Sequence, residues 1–325
     1  MRREAWSWVV VCVFAGLVAA GPRLAAGPAP ARESVFKSGV ELVALNVIVT
    51  DTSQRFVSNL LEHDFEVLED GTPQPISFFA TGQVPLDLVL LIDTSASMGI
   101  LRPTVQGAAR DFLRVLRPED RGAVAGFNEH LTVLQDLTSD AAALDGAVRR
   151  AGASGNTALY TSLYVALRQF GRPAYQASEV RRQAIVVVTD GEENTSGLGF
   201  EALEEEARSR GVAVYPIMLQ TDTLLARERL EGRLRPPRAA IRQLAVETGA
   251  LAYFPRSVAD IPGIYRAISA ELTNQYSIAY QPIRTGRDRV LHHVAVRVAS
   301  RPALRARTRT NYLPGGAVLQ LAGLR

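Results

Sequence analysis

Apolar and polar residues follow two different repeats along the chain. Residues 40–51 are rich in β-branched side chains and partly alternate between apolar and polar, which is typical of a half-buried strand. A second strand is predicted at residues 64–69. The Asp70-Gly71 turn would join it to a third strand at residues 76–80 as a hairpin. We therefore expect β structure in this first part of the chain.

From Pro85 onward, short apolar runs alternate with longer segments of helical spacing, as in βαβ units. The runs at residues 86–92 and 184–188 are apolar almost throughout, as expected for parallel strands that are covered on both faces. The fold class predicted for this part is α/β, with a doubly wound, mostly parallel, Rossmann-like sheet. The other predicted strands are 122–127, 131–134 (antiparallel, at an edge), 212–219 and 252–254, and the predicted helices are 103–116, 139–149, 160–170, 200–210, 239–248 and 261–275.

Strand character returns after the last predicted helix, at residues 276–280, 291–298 and 303–310. Strands on both sides of an α/β unit predict an additional small β-sandwich into which the α/β domain is inserted. Two unrelated β elements that flank the main domain are the alternative. The predicted domains are a first β segment at 39–83, an α/β domain at 84–275, a second β segment at 276–312 and a tail at 313–325.

The N-terminus has the features of a secretory signal peptide. Arg2 and Arg3 precede an apolar stretch from Trp6 to Ala20, and the small residues at 18–20 and 24–26 suit cleavage. We predict a signal peptide at 1–26 and a linker rich in Pro and Ala at 27–38. An uncleaved anchor is the alternative, but the apolar stretch is short for a membrane span. The expected location is the periplasm, the cell envelope or the extracellular space, with no membrane span after cleavage.

Composition narrows the classes of partner. The chain has 325 residues, of which 47% are hydrophobic, enough for a well-buried core. The single cysteine, Cys12, lies in the predicted leader, so the mature protein would contain no disulfide. The net charge is only +3, and the arginine-rich stretches at 227–242 and 297–309 do not interleave aromatic residues. Nucleic acid is therefore not an expected partner.

Oxygen-bearing side chains follow the two most apolar strands. Asp93, Ser95 and Ser97 form a D-x-S-x-S motif after the first of them, and Asp190 follows the second. Thr157 lies in a loop before a predicted helix. Because the carboxyl ends of parallel strands converge at the switch point of the sheet, we expect these five side chains to meet. Oxygen ligands suit a hard divalent cation such as Mg²⁺ or Ca²⁺.

The charge of the predicted site indicates what such an ion would do. Two carboxylates and three hydroxyls would leave a dication partly unsaturated, so that an acidic residue of a partner could displace water from it. The alternative is purely local structure, because side chains of these types also cap helices and open turns. Glu192 and Glu193, which follow Asp190, are interpreted as solvated loop carboxylates, with an indirect role beside the metal as the alternative.

With these motifs in this order, the chain resembles the von Willebrand factor type A (VWFA) domains. The resemblance implies a metal-ion-dependent adhesion site (MIDAS), in which Ser95, Ser97 and Thr157 would supply hydroxyl ligands. Asp93 would act largely through water, and Asp190 directly or through water. The implied cofactor is Mg²⁺, or Mn²⁺ or Ca²⁺ in its place, and the implied partner is a protein that presents an acidic residue.

A narrower resemblance covers nearly all of residues 40–310. Exported bacterial "VWFA-related" proteins, typical of Acidobacteria, carry a leader, a strand segment similar to residues 65–71 and a segment similar to residues 274–280. This likeness implies an exported protein. Together with the predicted metal site, it leads to the hypothesis of a secreted, adhesion-type, metal-dependent protein-binding module that is not an enzyme. The arginine-rich stretch at 225–238 is longer than the usual connection, and its role is open, as are the ligand and the oligomeric state.

Enzyme motifs are missing from the sequence. G-x-S-x-G and H-E-x-x-H do not occur, and the four histidines, His63, His130, His292 and His293, stand in no catalytic triad pattern. His292 and His293 are consecutive in a predicted strand and would point to opposite faces, so we interpret them as half-exposed strand residues rather than ligands. Two other functions remain as alternatives: a structural envelope scaffold with a vestigial metal site, and a metal-assisted hydrolase.

Overall fold

The computed structural model describes residues 42–82, 84–171, 181–191, 193, 195–220, 237–282 and 290–314. The predicted signal peptide and linker, Glu192 and nearly all of the arginine-rich stretch at 225–238 lie outside these residues. Within the described part of the chain, no helix has the length and apolar character needed to cross a membrane.

The described residues form thirteen strands and six α-helices. The strands are β1 (Val43–Thr50), β2 (Phe65–Glu69), β3 (Thr72–Gln74), β4 (Ile76–Thr81), β5 (Leu86–Asp93), β6 (Arg121–Phe127), β7 (Leu131–Thr138), β8 (Arg182–Thr189), β9 (Ala213–Met218), β10 (Tyr276–Tyr280), β11 (His292–Val298), β12 (Arg305–Arg307) and β13 (Asn311–Tyr312). The helices are α1 (Arg102–Leu113), α2 (Ala141–Arg150), α3 (Leu159–Phe170), α4 (Phe200–Arg210), α5 (Pro237–Glu247) and α6 (Ile261–Thr273).

A five-stranded sheet forms the centre of the α/β part, in the order β7-β6-β5-β8-β9. Four of its strands run parallel, and β7 runs antiparallel to β6 at one edge. The mixed, mostly parallel sheet and its antiparallel edge strand are therefore as predicted.

Helices cover both faces of this sheet. Residues of α1, α2 and α6 pack against one face, which includes Leu88 and Leu90 of β5. Residues of α3, α4 and α5 pack against the other face, which includes Val89 and Leu91. Because successive strand residues point to opposite faces, a strand that is buried on both sides has to be apolar at nearly every position. The continuous apolar runs in the sequence follow from this arrangement.

The central strand β5 lies between β6 on one side and β8 on the other. The chain first winds from β5 toward β6 and later returns to the opposite side of β5, so the two halves of the sheet are wound in opposite directions. Such a switch point leaves a crevice at the carboxyl ends of the strands, where ligands bind in sheets of this type. Asp93 ends β5, and Asp190 directly follows the neighbouring strand β8.

Two four-stranded antiparallel sheets are built from the segments before and after the α/β part. Their orders are β12-β1-β10-β4 and β13-β11-β2-β3. In both sheets, early strands pair with late ones: β1 with β10 and β12, and β2 with β11. Apolar side chains of both sheets, among them Leu45, Val67, Ile278 and Val296, share one hydrophobic cluster.

The predicted hairpin near Asp70 is wrong in its second strand. The turn itself is present, with positive φ at Asp70 (47°) and Gly71 (79°), which matches the turn type that favours Asp-Gly. However, the strand paired with β2 across this turn is β3, whereas β4 pairs with β10 in the other sheet. Pro75 separates β3 from β4. Because proline has no N–H for a strand ladder, the chain leaves the first sheet there.

Two further strand predictions are corrected. The strand predicted at residues 252–254 is reduced to a single parallel bridge between Tyr253 and Ile217. The strand predicted at residues 303–310 is instead the short β12, and β13 follows at Asn311–Tyr312. These two strands belong to different antiparallel sheets, so the chain bends between them.

Candidate metal site

Three loops meet at the carboxyl edge of the parallel sheet: the loop after β5, the loop before α3 and the loop after β8. Backbone hydrogen bonds join them. The N–H of Ala96 donates to the carbonyl oxygen of Gly155 (3.0 Å), and the N–H of Thr195 donates to the carbonyl oxygen of Thr157 (3.2 Å). The first two loops are therefore tied together, and the third is tied to the second.

The five predicted site residues lie on these three loops. Asp93, Ser95, Thr157 and Asp190 are buried, each at most 2% exposed, while Ser97 is exposed. Buried polar side chains are costly unless they find partners. A group of four such side chains at the edge of a sheet, with a fifth at the solvent side, is therefore a candidate binding site.

Hydrogen bonds fix the conformation of the D-x-S-x-S loop. The Asp93 carboxylate accepts the backbone N–H of Ser95 through Oδ1 (2.9 Å) and the hydroxyl of Thr189 through Oδ2 (2.6 Å). The hydroxyl oxygens of Ser95 and Ser97 are 3.0 Å apart. The loop thus holds the two serine hydroxyls together beside the buried carboxylate.

The electrostatics of the site favour a cation. Burial raises the pKa of Asp93 to about 6, and the negative charge of Asp190 raises it as well, while hydrogen bonds from Ser95 and Thr189 act in the opposite direction. A bound divalent ion is the largest local charge in a site of this kind and favours ionised carboxylates. It would offset the cost of placing two acidic side chains together in a buried position.

The hydroxyl of Thr157 gives the clearest indication of a binding site. Its Oγ1 is buried and has no hydrogen-bond partner among the described residues. A buried polar group without a partner costs about 1–3 kcal/mol. The N-cap of α3 is Ala158, and no side chain caps the helix from that position. The alternative interpretation of Thr157 as a helix cap is therefore wrong, whereas a cation bound by Oγ1 would satisfy this hydroxyl.

The start of α3 is held by residues from the loop after β8 instead. The N–H of Tyr160 donates to Oε2 of Glu193 (3.0 Å), and the N–H of Thr161 donates to the hydroxyl of Ser196 (3.1 Å). Glu193 also accepts the N–H and the hydroxyl of Ser196. The interpretation of Glu193 as a solvated loop carboxylate is thus wrong: it is half-buried and binds the helix N-terminus.

The side chains of the D-x-S-x-S loop likewise cap neither of the described helical segments that follow it. Ser95 precedes a short 3₁₀ turn at Ala96–Gly99 and makes no side-chain cap hydrogen bond there. Helix α1 begins after Leu101, which has no capping side chain. The two serine hydroxyls remain available to a ligand.

A second group of candidate ligands was missed by the sequence reasoning. Glu69, Asp70 and His292 place one carboxylate or imidazole atom each within 4.8 Å of one another. The sequence pattern predicts His292 as a half-exposed strand residue rather than a ligand, and Asp70 only as part of a turn. The exposure predicted for His292 is wrong, because it is buried, at 9% exposed. Their proximity depends on the pairing of β2 with β11, which no local pattern in the sequence reveals.

Comparison with known proteins identifies a domain in this region. Residues 88–193 match the model of the von Willebrand factor type A domain. The chain therefore contains such a domain, and at this level the resemblance noted in the sequence is confirmed. None of the curated proteins matches the sequence.

Several solved structures are similar to this chain. An aerotolerance-related membrane protein from Bacteroides fragilis is 19% identical over 57% of this chain and 98% of its own, with a TM-score of 0.44. A von Willebrand factor type A protein from Catenulispora acidiphila is 13% identical over 80% of this chain and 71% of its own, with a TM-score of 0.48. The vWF domain of a type V pili tip protein from Porphyromonas gingivalis is 14% identical over 58% of this chain and 96% of its own, with a TM-score of 0.43.

Proposed function

We propose that this protein is a metal-ion-dependent, adhesion-type protein-binding module of an exported bacterial protein, and not an enzyme. The observation that carries the proposal is the hydroxyl of Thr157, which is buried and has no hydrogen-bond partner in the part of the chain that the structure describes. Its loop is tied to the other two loops of the candidate site. This arrangement is expected if an ion occupies the space between the loops.

The residues present fit a hard divalent cation. Ser95, Ser97 and Thr157 would supply neutral oxygen ligands, and Asp93 and Asp190 would balance the charge of Mg²⁺, or of Mn²⁺ or Ca²⁺ in its place. Mg²⁺ prefers six oxygen ligands and usually keeps several waters. With few protein ligands, such an ion retains exchangeable water, and an acidic side chain of a partner protein would replace it.

The solvent side of the site suits a protein partner. Ser97 is exposed there, and Ile100, three residues further along the same loop, is 92% exposed. A single exposed apolar residue is common on protein surfaces. Beside a metal that binds a partner carboxylate, however, Ile100 offers an apolar contact that would add affinity.

The proposal extends to the rest of the chain. We regard the two antiparallel sheets as one β-sandwich formed by residues 39–83 and 276–312, because their side chains share one core, with residues 84–275 inserted as the VWFA domain. Export to the periplasm, the envelope or the extracellular space rests on the N-terminal sequence. Membership of the exported "VWFA-related" group likewise rests on sequence segments alone.

The variant Thr157→Val tests the metal site. Valine has nearly the shape of threonine and carries a methyl group in place of the unpartnered hydroxyl, so the metal-free variant should be at least as stable as the wild type. We expect Mg²⁺ or Mn²⁺ to raise the melting temperature of the wild type above its value in EDTA, and to leave Thr157→Val unchanged. At a metal concentration 100 times the Kd, the wild type should gain about 2.7 kcal/mol.

Ser162→Ala is the matched control. Ser162 lies in α3, and its buried hydroxyl also has no partner among the described residues, but it is not one of the candidate ligands. This variant should keep the full response to metal. A wild type that does not respond to metal, or a Thr157→Val variant that responds fully, would contradict the proposed site.

Partner binding separates the proposed function from its alternatives. A pull-down from an envelope extract should retain a protein in Mg²⁺ and lose it both in EDTA and with Thr157→Val as bait. Binding that persists in EDTA would favour a scaffold with a vestigial metal site. Turnover of phosphoester or peptide substrates that is lost in Asp190→Ala would favour a metal-assisted hydrolase.

A further inference from the structure

A second constellation of ligating atoms lies among the antiparallel strands, on residues that the candidate MIDAS does not use. Glu69 ends β2, Asp70 begins the turn that follows, and His292 begins the neighbouring strand β11. Nδ1 of His292 is 2.7 Å from Oδ2 of Asp70 and 3.7 Å from Oε1 of Glu69. One nitrogen and two carboxylate oxygens therefore converge.

In each carboxylate, the oxygen that does not face His292 accepts a hydrogen bond, which orients the group. Oε2 of Glu69 accepts the hydroxyl of Tyr280 (2.7 Å) and the hydroxyl of Tyr312 (3.1 Å). Oδ1 of Asp70 accepts the backbone N–H of His293 (2.9 Å). Both acids thus direct one oxygen toward the imidazole of His292. Partners of this kind orient metal ligands in protein sites and tune their affinity.

The imidazole is held in place as well. The ring of His292 stacks on the ring of Tyr312, with centroids 5.3 Å apart. Tyr312 belongs to β13, which pairs with β11, and Tyr280 belongs to the other antiparallel sheet. Aromatic side chains from both sheets therefore hold Glu69 and His292, and the backbone of β11 holds Asp70, so little ordering would be required on binding.

The spacing of the three atoms suits a metal ion. Zinc binds His nitrogen at about 2.0–2.1 Å and carboxylate oxygen at about 2.0–2.2 Å, so that its ligands lie about 3.4 Å apart in a tetrahedral arrangement. The separations of 2.7 and 3.7 Å lie on either side of this value. Lengthening the His292–Asp70 separation from 2.7 Å by about 0.7 Å would bring it to this value.

We propose that Glu69, Asp70 and His292 form a second divalent-metal site, selective for a borderline transition ion such as Zn²⁺ over Mg²⁺ or Ca²⁺. Imidazole nitrogen together with carboxylate oxygen suits Zn²⁺, whereas Mg²⁺ and Ca²⁺ prefer oxygen alone. The side chain of Asp70 is 49% exposed, which gives the ion a path from solvent and leaves a water molecule as the fourth ligand. The bound ion would link β2 and its following turn to β11.

Zinc titration of the full-length chain without a polyhistidine tag tests this site. Competition with a chromophoric zinc chelator, in excess Mg²⁺ to fill the candidate MIDAS, should report a zinc affinity that falls in His292→Phe and in Asp70→Asn. We expect a loss of at least about tenfold, since even residues that only orient a ligand have effects of this size. Phenylalanine keeps a ring to stack on Tyr312.

The matched control is His293→Phe. His293 is the next residue of β11, but it is exposed and lies on the opposite face of the strand, so this variant should bind zinc as the wild type does. Equal zinc affinity in the wild type and in folded His292→Phe would overturn the proposal. Loss of zinc binding in His293→Phe with retention in His292→Phe would also overturn it.

A measurement on the wild type does not depend on how the variants fold. The chain has four histidines, few enough to resolve their ring nitrogens by long-range ¹H–¹⁵N NMR. We expect zinc to shift Nδ1 of His292 and to leave the ring of His293 unchanged, and we expect Mg²⁺ to shift neither. An unshifted His292 at saturating zinc would overturn the proposal, and the ordinary His292–Asp70 hydrogen bond would then be the whole role of the pair.

Discussion

Replacing Asp93 by asparagine should stabilise the metal-free protein and at the same time remove its response to metal. Asparagine has nearly the same shape as aspartate but carries no charge. If the role of the buried carboxylate is to bind a cation, its charge destabilises the folded protein when the cation is absent. A residue whose role is to hold the fold would show the opposite behaviour.

The size of the effect follows from the environment of Asp93. A pKa of about 6 instead of 3.8 corresponds to about 3 kcal/mol of unfavourable free energy for the ionised carboxylate at neutral pH. The asparagine amide replaces one oxygen and loses the hydrogen bond from Thr189, which offsets about 1–2 kcal/mol. We therefore expect Asp93→Asn to be more stable than the wild type by about 1–2 kcal/mol in EDTA.

The pH dependence gives an independent check on this difference. Because the pKa of Asp93 is raised in the folded state, the folded protein holds this proton more tightly than the unfolded chain does. Its contribution to stability is fully present below pH 3.8 and is lost as the pH rises through about 6. In EDTA, Asp93→Asn should therefore be less stable than the wild type by about 1–2 kcal/mol below pH 3.8. Its relative stability should rise between pH 4 and 6, become an advantage, and stay constant above.

Urea unfolding in EDTA and in Mg²⁺, monitored by circular dichroism, measures both effects. Asp140→Asn is the matched control, because the Asp140 side chain caps α2 by accepting the N–H groups of Ala142 and Ala143, and asparagine caps equally well. This control should show no gain in EDTA and a full response to Mg²⁺. If Asp93→Asn is less stable than the wild type in EDTA, or still responds to Mg²⁺, the reasoning is refuted.

Three further substitutions test other parts of the structure by urea unfolding. Glu193→Ala removes the carboxylate at the start of α3 and should cost about 1–2 kcal/mol; no loss would show that the helix does not depend on this side chain. Arg307→Met leaves the buried Glu271 without its ion-pair partner and should cost about 3 kcal/mol or more of unfolding free energy. The control Arg114→Met removes an exposed ion pair and should cost at most about 1 kcal/mol. Gly249→Ala places a Cβ 2.6 Å from the backbone nitrogen of Arg309, at a φ of +81°, and should cost about 2 kcal/mol or more. A variant as stable as the wild type would contradict the close approach of Gly249 to Arg309.

The candidate MIDAS was accessible from the sequence because its geometry follows from strand order. The residue that ends an apolar parallel strand must lie at the carboxyl edge of the sheet, so Asp93 and Asp190 come together once both strands are recognised. The role of Glu193 was not accessible in this way. Its position two residues after a turn glycine is also typical of a solvated carboxylate, and only the packing of its loop against α3 decides between the two.

The antiparallel part was less predictable, because its strand pairing also depends on contacts between distant parts of the chain. Pairing of β2 with β11 joins residues more than 200 positions apart, and the alternating pattern of each strand specifies a face but not a partner. The sequence therefore predicted that His292 and His293 face opposite sides, and their burial agrees with this. It gave no indication that His292 meets Glu69 and Asp70.

The central claim is that a divalent cation lies between the three loops. An anomalous-scattering map from crystals of the full-length protein grown with Mn²⁺ tests this claim most directly. We expect a peak within bonding distance of the hydroxyls of Ser95, Ser97 and Thr157, beside the carboxylates of Asp93 and Asp190. A map in which these five side chains are ordered and no peak lies among them would contradict the account.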